Sequence, residues 1–329
     1  MDAYDYPLPE AAIAQEPAEP RDAARLLVAT DAEGGVEHRR VRHLAGLLRP
    51  GDVLVINDTR VVPARLHLRK ATGGRVEVVL LERLNGDLWD ALVRPSARVP
   101  PGTRLLAGGR EMVEVSGTSG EGTRHVRVLT PVDSHAGLAL PPYIHRPLAD
   151  PGRYQTVYAT HPGSVAAPTA GLHLTHAVLE ACRRRGVQVH ALDLAVGLGT
   201  FRPVSAHRPE DHVMHPERYR VPESTMEACR GADRVVAVGT TTLRALESAA
   251  ANGELEGSTR LFIHGDYRFA LVDVLLTNFH QPRSSLLLLL AAFCGDRWRE
   301  LYRLALGDGY RFLSFGDAML VSRRPGAGR

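Results

Sequence analysis

The spacing of β-prone runs and turn residues changes near residue 150, and this change most constrains the fold. Between about 52 and 148, short runs of aliphatic and charged residues alternate with turn residues such as Asn85-Gly86 and Pro101-Gly102. Asn-Gly between two β-prone runs is a strong hairpin signal. The runs are DVLVIN, RVEVVLLE, WDALVR, TRLLA, MVEVS and RHVRVLT. This pattern predicts a small antiparallel β-barrel.

After about residue 152, helical and strand patterns alternate along the chain. Such alternation predicts an α/β domain, a mainly parallel sheet flanked by helices. The predicted helices cover 176–185, 222–231, 241–251, 284–294 and 297–306, and the predicted strands cover 187–194, 234–238 and 271–276.

The first 50 residues show helical patterns over 21–27 and 43–49 but contain no complete core of their own. We therefore expect them to pack on the α/β part, which makes the barrel an insertion. The predicted organisation is a discontinuous α/β domain of residues 1–58 and 152–329, with an inserted β-barrel domain of residues 59–151.

Cysteine usage and hydropathy bound the protein class. Cys182, Cys229 and Cys294 form no CxxC pair, which argues against a disulfide framework or a cysteine metal site. The run Leu286–Cys294 is the longest apolar one and is shorter than the roughly 20 residues of a membrane span. The segment MDAYDYPLPE lacks the apolar region of a secretion signal. We expect a cytoplasmic protein without a membrane partner.

The basic residues are almost all arginine. Of 40 lysines and arginines only Lys70 is lysine, which argues against lysine Schiff-base chemistry. The net charge of +3 neither requires nor excludes a nucleic-acid partner.

Several strand ends carry polar residues, and ligands in α/β sheets bind at the carboxyl ends of strands. The stretch AVGLGTF contains Gly197 and Gly199 but has Arg202 where a dinucleotide fingerprint requires a third glycine. The stretch VAVGTTTLRALES is typical of a strand, a glycine and a capped helix whose free N–H groups could hold an anion, or of an ordinary helix start.

Three further segments are candidates for chemistry. VINDTR places Asn57 and Asp58 at the junction of the two predicted domains, although such pairs are also common in turns. LLTNFHQPRSS places Asn278 and His280 at a strand end. VAAPTAGLHLT (165–175) surrounds one imidazole, His173, with small uncharged residues, which fits a wall against a bulky ligand or a simple turn.

A zinc site is a weaker hypothesis. DHVMHPE gathers His212, His215 and Glu217, but Pro216 breaks helical spacing and there is no HExxH motif.

Taken together, these motifs resemble those of the S-adenosylmethionine:tRNA ribosyltransferase-isomerases of queuosine biosynthesis. The resemblance runs nearly end to end and keeps the order of long, unusual blocks. They include GDVLVINDTRVVPARL (51–66), LPPYIHRP (140–147), YQTVYA (154–159), SVAAPTAGLH (164–173), VGLGTFRPV (196–204), MHPERYRV (214–221), VVAVGTTTLRALES (235–248), TNFHQPRSSLLLL (277–289) and YRFLSFGDAML (310–320).

The resemblance implies an α/β domain with an inserted β-barrel and an enzyme that uses S-adenosylmethionine as a ribosyl donor. The implied acceptor is 7-aminomethyl-7-deazaguanine at the wobble position of tRNA, and the implied products are epoxyqueuosine in tRNA, adenine and methionine. It implies no metal and no cofactor beyond S-adenosylmethionine as co-substrate. We expect the protein to be a monomer.

Site residues are assigned from this chemistry as hypotheses. The proton-transfer candidates are His173, His280 and Asp58. The predicted substrate-binding residues are Asn57, Thr59, Arg60, Gly171, Gly197, Gly199, Thr200, Phe201, His215, Glu217, Gly239, Thr240, Thr241 and Asn278. Within this set, the residues 239–241 are expected to receive the methionine carboxylate. Arg60, Arg65 and Lys70 are the candidates for tRNA phosphates.

The chain departs from the family pattern at some of these blocks. Ala195 stands where the family usually has histidine, and Leu174 replaces the usual aromatic after Gly-Leu-His. These changes leave room for an altered acceptor, and two alternatives stay open. One is a paralogue that transfers the ribosyl group to a small 7-deazapurine without tRNA. The other is a non-catalytic RNA-binding protein.

Overall fold

The structure, a computed structural model, describes residues 1–30, 35–119, 123–132, 135–197, 204, 206, 208–212 and 214–328. The chain forms two compact units. One comprises Met1–Arg60 and Pro141–Arg329, and the other comprises Val61–Leu140. The domain boundaries predicted from the sequence are 58/59 and 151/152. Residues 59–60 and 141–151, predicted in the barrel domain, lie in the larger unit.

The strands in chain order are β1 (Arg25–Ala29), β2 (Glu37–Arg40), β3 (Asp52–Asn57), β4 (Thr59–Val61), β5 (Arg65–Lys70), β6 (Arg75–Asn85), β7 (Leu88–Arg94), β8 (Arg104–Ala107), β9 (Arg110–Ser119), β10 (Thr123–Val128), β11 (Ala136–Gly137), β12 (His161–Ser164), β13 (Gln188–Leu194), β14 (Glu217–Arg220), β15 (Arg234–Val238), β16 (Glu256–Thr259), β17 (Val274–Asn278) and β18 (Ala318–Ser322). The α-helices are α1 (Leu44–Leu47), α2 (His176–Arg184), α3 (Glu223–Gly231), α4 (Thr240–Asn252), α5 (Ser285–Cys294) and α6 (Arg297–Gly307).

Short 3-10 helices connect these elements. They cover Asp2–Tyr4, Glu10–Ala12, Arg21–Ala23, Val41–His43, Ser96–Arg98, Pro151–Tyr154, Thr169–His173 and Pro209–Asp211.

The larger unit is built on a nine-stranded sheet of order β16-β14-β13-β3-β15-β17-β18-β1-β2. Strands β13, β3, β15 and β17 are mutually parallel, as are β18 and β1. The remaining pairings are antiparallel. The predicted α/β class is confirmed, and the sheet is mixed, with parallel strands at its centre.

Continuous apolar runs form the central strands because both of their faces are covered. All six residues of DVLVIN in β3 are buried, and so are all five of β17. Parallel strands packed on both faces read in this way, without polar alternation. Leu54 lies between Val189 of β13 and Val236 of β15, so the registers of three strands meet at one buried position.

Two of the helices that pack on this sheet begin at capping residues that the sequence shows. Thr175 caps α2 by accepting a hydrogen bond from the Val178 N–H (3.2 Å), and Ser284 caps α5 in the same way through Leu287 (3.2 Å). One core cluster joins Leu54 and Ile56 of β3 to residues of α1 and α2, among others. Helix α4 packs against β3, β13 and β15.

The smaller unit is an antiparallel barrel, as predicted. Its strands follow the order β11-β5-β6-β7-β10-β9-β8, and an added pairing of β5 with β8 closes the ring. Alternate residues of β5 and β6, such as Leu66, Leu68, Val76 and Val78, are buried inside.

Most predicted elements are confirmed, with two errors near the amino end. The run DVLVIN, grouped with those that predict the barrel, is β3 at the centre of the large sheet. The helices predicted over 43–49, 176–185, 222–231, 241–251, 284–294 and 297–306 correspond to α1 to α6. The helix predicted over 21–27 is wrong, because a 3-10 turn at Arg21–Ala23 leads into β1. Its residues Leu26–Ala29 pair with β18, a partner almost 300 positions away that no local pattern indicates. As expected, the first 50 residues pack on the α/β part, through β1 and β2.

Helix α4, with 13 residues, is the longest that the described residues form, and none of these helices has the length and apolar composition that a membrane crossing requires.

Strand β6 offers a matched test of the barrel core, since Leu80 is 1% exposed and Leu84 is 44% exposed. Leu80→Ala is expected to lower the free energy of unfolding by about 2–5 kcal/mol, because it leaves a cavity in the barrel. Leu84→Ala is expected to change it by no more than about 0.5 kcal/mol. The measurement is urea unfolding followed by Trp89 fluorescence in a Trp298→Phe background. Equal costs for the two variants would contradict the barrel packing.

Candidate active site

Four adjacent carboxyl ends of parallel strands, those of β13, β3, β15 and β17, meet at one edge of the large sheet. The buried Asn57 amide joins three elements there. Its Nδ2 donates to the Leu194 carbonyl (3.0 Å) and to Thr241 Oγ1 (3.4 Å), and its Oδ1 accepts from the N–H groups of Leu194 (3.2 Å) and Thr59 (3.1 Å). Because an amide side chain has four hydrogen-bonding positions, Asn57 is fully occupied. Its role in the structure is to hold the end of β3 to β13 and α4.

The segment 165–175 crosses this edge. The N–H groups of Val165 and Ala166 approach the carbonyl of Val196 (3.3 Å each), next to the end of β13. The segment then forms the 3-10 helix Thr169–His173, which contacts β17.

Two positions at this edge require glycine, one because of close packing and the other because of its backbone conformation. A Cβ at Gly171 would lie 2.2 Å from the Tyr158 hydroxyl oxygen, so a neighbouring tyrosine fills the space of its missing side chain. Gly239 has φ +91°, a conformation that glycine adopts at low cost, and a Cβ there would lie 3.7 Å from Ala170 Cβ. Gly239 precedes α4, whose first turn holds the buried Thr240 and Thr241.

A buried hydrogen-bonded chain joins the crossing segment to β17. Thr169 Oγ1 donates to Asn278 Oδ1 (2.9 Å), and Asn278 Nδ2 lies 3.0 Å from His173 Nε2. The amide N–H therefore donates to an unprotonated ring nitrogen. Burial, together with the charges of Arg311 and Arg21, lowers the pKa of His173 to about 4. The His173 imidazole is neutral at pH 7 and acts as an acceptor.

His280 is equally enclosed but lines an open cleft. Its Nε2 lies 3.0 Å from Thr277 Oγ1, and its backbone is held by hydrogen bonds to the Tyr302 and Tyr6 hydroxyls. Burial lowers the pKa of His280 to about 3. The cleft is open to solvent and is lined by Tyr143, Thr169, Asn278, Phe279, His280, Gln281, Ser284, Leu286, Leu313 and Ser314.

The walls of this cleft combine apolar side chains with a few polar groups and are locally constrained. The hydroxyls of Tyr143 and Ser314 lie 2.7 Å apart, and burial raises the pKa of Tyr143. Leu313 has φ +69°, which is uncommon for a residue with a branched side chain. Backbone strain of this kind clusters at functional sites.

Asp58 follows β3 and holds a second polar group. Its Oδ2 accepts from Thr160 Oγ1 (2.7 Å), and its Oδ1 lies 3.0 Å from His161 Nδ1. The His161 side chain is exposed, so this carboxylate orients an imidazole that solvent reaches. Asp193 lies near the end of β13, and burial raises the pKa of its carboxyl.

A buried ion pair lies beside β13 and α4. Arg244 Nη1 donates to Glu217 Oε2, and Arg244 Nε donates to the Leu261 carbonyl (3.0 Å). Glu217 Oε1 in turn accepts from the Gly197 N–H (3.3 Å). His215, two positions before Glu217, is exposed.

The remaining predicted site residues fall elsewhere. Gly199, Thr200 and Phe201 lie outside the described residues. Arg60 is exposed beside the buried Thr59. In the barrel, Arg65 bonds Glu77 (3.3 Å) and the Leu140 carbonyl (2.9 Å), and Lys70 bonds the Arg98 carbonyl. Both barrel cations therefore have acceptors within their own unit.

Sequence patterns missed several residues of this edge. Arg244 lies in a segment that the sequence predicts only as a helix. An arginine within the small-residue run TTTLRALESAA nevertheless indicates a buried, paired cation. Tyr143 and Ser314 belong to two of the sequence blocks that resemble the family, LPPYIHRP and YRFLSFGDAML, but only the fold brings them together. Among the described residues, no three His, Cys, Asp or Glu side chains are grouped to hold a metal ion.

The fold and this edge together define an α/β protein with an inserted barrel and a cluster of buried polar and charged side chains at the strand ends. A family model described as queuosine biosynthesis protein matches residues 1–321. The chain belongs to this family, which confirms the resemblance seen in the sequence.

Relatives with this family's activity in their names match the chain over nearly their whole lengths. A Thermus thermophilus protein named S-adenosylmethionine:tRNA ribosyltransferase-isomerase is 51% identical, with 98% of this chain and 99% of that protein covered. A Moorella thermoacetica protein of the same name is 48% identical, with 98% and 99% covered. The crystal structure of the S-adenosylmethionine tRNA ribosyltransferase from Thermotoga maritima matches with a TM-score of 0.57 and 39% identity, covering 97% of this chain and 99% of that one.

Gly171→Ala is expected to lower the melting temperature by several degrees, because the new Cβ would lie 2.2 Å from the Tyr158 hydroxyl oxygen. Tyr158→Phe removes that oxygen and leaves the ring carbon 3.3 Å away. The double variant is therefore expected to recover part of the loss. Calorimetry of the two single variants and the double variant tests this, and independent, additive losses would show that Gly171 is not constrained by Tyr158.

The buried, neutral His173 predicts a stability loss in mild acid. Its pKa falls from about 6.5 in the unfolded chain to about 4 in the folded one. The unfolded chain therefore binds the extra proton first, and stability is lost as the pH falls from about 6.5 towards 4, by up to about 1.4 kcal/mol per pH unit. His173→Asn is expected to reduce this slope in denaturant unfolding between pH 7 and pH 5. His176→Asn, at an exposed position of α2, serves as the control and should leave the slope unchanged.

Proposed function

We propose that the protein transfers and isomerises the ribosyl part of S-adenosylmethionine onto 7-aminomethyl-7-deazaguanine at the wobble position of tRNA. Adenine and methionine are released, and the tRNA gains epoxyqueuosine. The observation that carries this proposal is the 51% identity, over 98% of the chain, to a relative named for that activity. The proposed acting unit is a cytoplasmic monomer, and S-adenosylmethionine is its co-substrate with no further cofactor.

The reaction requires a site that removes a carbon-bound proton and tolerates a cation. The sulfonium acidifies the adjacent 5′ C–H of the ribose. A base takes that proton, and ring opening expels adenine, which leaves with a proton. The acceptor amine attacks the opened sugar, and epoxide formation then expels methionine with the carbon–sulfur electron pair. The protein must hold these groups in place and supply one acceptor and one donor of protons.

His173, His280 and Asp58 remain the proposed proton-transfer residues, and their surroundings suit different roles. With pKa values near 4 and 3, the two imidazoles are weak bases and are matched to hydrogen bonding in the neutral form. His280 lines the cleft, where it can meet a substrate directly. His173 acts through Asn278, whose amide it orients. Asp58 is a carboxylate that also orients an exposed imidazole.

The polar groups that line the cleft suit the edge of a flat heterocycle. These amide and hydroxyl groups, on Asn278, Gln281 and Ser284 among others, can pair with the edge of a purine or deazapurine. Gly239, Thr240 and Thr241 remain the residues proposed for the methionine carboxylate. The first turn of α4 offers it the N–H groups of Thr240 and Thr241, whereas the Gly239 N–H already donates to the Leu276 carbonyl (2.8 Å). Gly197, Gly199, Thr200, Phe201 and Glu217 are proposed to lie along the nucleoside, with Thr59, Gly171 and His215 as further binding residues.

The tRNA contacts are proposed for Arg60, Arg65 and Lys70. Arg60 is exposed, which supports its role. The internal acceptors of Arg65 and Lys70 mean that phosphates would have to compete for these two cations.

An altered acceptor is the second candidate function. Ala195, where the family usually has histidine, directly follows β13 and donates its N–H to the Arg218 carbonyl (2.9 Å). The loss of a histidine next to the strand ends leaves room for a changed acceptor.

The test is adenine and methionine release from S-adenosylmethionine, with mass spectrometry of the digested tRNA. Three acceptors are compared: tRNA carrying the aminomethyl precursor, unmodified tRNA, and the free precursor base. Release with modified tRNA alone, together with epoxyqueuosine, is the expected result. Release with the free base would favour the small-molecule paralogue. No release with any acceptor would favour a binding protein without catalysis.

His280→Ala is expected to reduce the rate of adenine release by about 10²–10⁴-fold, the usual range for loss of a proton-transfer group. His176→Ala removes an exposed imidazole from α2 and should leave the rate unchanged. Rates are measured at saturating S-adenosylmethionine and modified tRNA. A His280→Ala rate within threefold of the parent would exclude the proposed role.

A further inference from the structure

Arg244 is a buried cation whose side chain runs towards the candidate active site. It lies in the second turn of α4 and is 2% exposed. Helical side chains incline towards the helix amino end, which here is the sheet edge described above. Thr240 and Thr241 lie four and three positions earlier, so they share the face of α4 that carries Arg244.

The guanidinium of Arg244 is only partly satisfied. Its Nη1 donates to Glu217 and its Nε to the Leu261 carbonyl. Its Nη2 is buried and meets no acceptor within the described part of the chain. A buried charged donor without an acceptor is costly, and such groups in folded proteins call for an explanation such as a ligand. The natural acceptor for a guanidinium edge is a carboxylate or a phosphate.

Charge and burial favour a small carboxylate over a nucleic-acid phosphate. Glu217 already neutralises Arg244, so a phosphodiester would add an anion next to a carboxylate with no cation of its own. The methionyl end of S-adenosylmethionine carries an ammonium and a sulfonium together with its carboxylate. A small ligand also reaches a buried atom more readily than a polymer backbone does.

We propose that Arg244 binds the carboxylate of S-adenosylmethionine through Nη2, with Glu217 and the Leu261 carbonyl holding the guanidinium in place. The inference rests on the proposed function and adds a side-chain anchor to the free N–H groups of the first turn of α4. One carboxylate oxygen meets Arg244, and the other faces those N–H groups. Glu217 is a positioning residue, and its link to the Gly197 N–H ties the anchor to the end of β13.

The experiment compares the binding of S-adenosylmethionine and of its decarboxylated analogue, which keeps the ammonium and the sulfonium. The parent protein is expected to bind S-adenosylmethionine at least tenfold more tightly in calorimetric titration. Arg244→Gln is expected to bind both ligands alike, with an affinity for the analogue close to that of the parent. A purely structural role would weaken both ligands equally and keep their ratio.

Two further variants sharpen the test. Arg234→Gln breaks another largely buried ion pair, with Asp52, at the opposite end of β15, and should keep the parent ratio. Arg244→Lys keeps a cation beside Glu217 but loses Nη2, and its ratio should fall below that of the parent.

The outcomes separate this inference from the proposed function. A parent protein that binds S-adenosylmethionine with no preference over the analogue overturns the anchor without any variant. Folded Arg244 variants that keep the parent ratio also overturn it. A parent protein that binds neither ligand overturns the proposed function instead.

Discussion

Parallel pairing of β13, β3, β15 and β17 is the constraint on which the candidate site depends. Adjacent parallel strands place their carboxyl ends at one edge, and each connection must cross back before the next strand begins. Peptide groups at that edge lack ladder partners, so side chains and crossing segments must satisfy them. The Asn57 amide, at the end of β3, bonds the N–H and the carbonyl of Leu194 at the end of β13. N–H groups of the segment 165–175 donate to the Val196 carbonyl.

Burial sets the chemistry of this edge as much as residue identity does. An imidazole in water titrates near neutrality, but His173 and His280 are held neutral by enclosure. A site that receives a sulfonium gains from neutral neighbours, because an imidazolium would repel the ligand. The fixed charges lie on either side, in the Arg244–Glu217 pair and in the carboxylate of Asp58. Under the proposed function, the cationic substrate meets neutral imidazoles and the Arg244–Glu217 ion pair.

Local sequence predicted the elements that local signals define. Helices α2 to α6 have caps, glycine ends or clear apolar faces, and barrel hairpins have Gly-rich turns. The sequence patterns did not predict strands β1 and β18, because each pairs with a strand that is distant in sequence. The same limit applies to the site. Asn57, Asp58, Asn278 and the imidazoles were found because polar residues at strand ends stand out, whereas Arg244 was hidden in a helix and Tyr143 entered only through packing beside Ser314.

The place of β18 in the sheet has a consequence for biosynthesis. Strand β18 lies between β17 and β1, so it separates the central parallel strands from the β1–β2 pair, which lies almost 300 positions earlier in the chain. On the ribosome, the β1–β2 pair has no partner in the sheet until residues 318–322 have emerged. The barrel strands, by contrast, all lie within residues 65–137 and can pair long before that. The edge of the early β1–β2 hairpin therefore stays open during most of the synthesis of this chain, and the large sheet is completed only after residues 318–322 have been made.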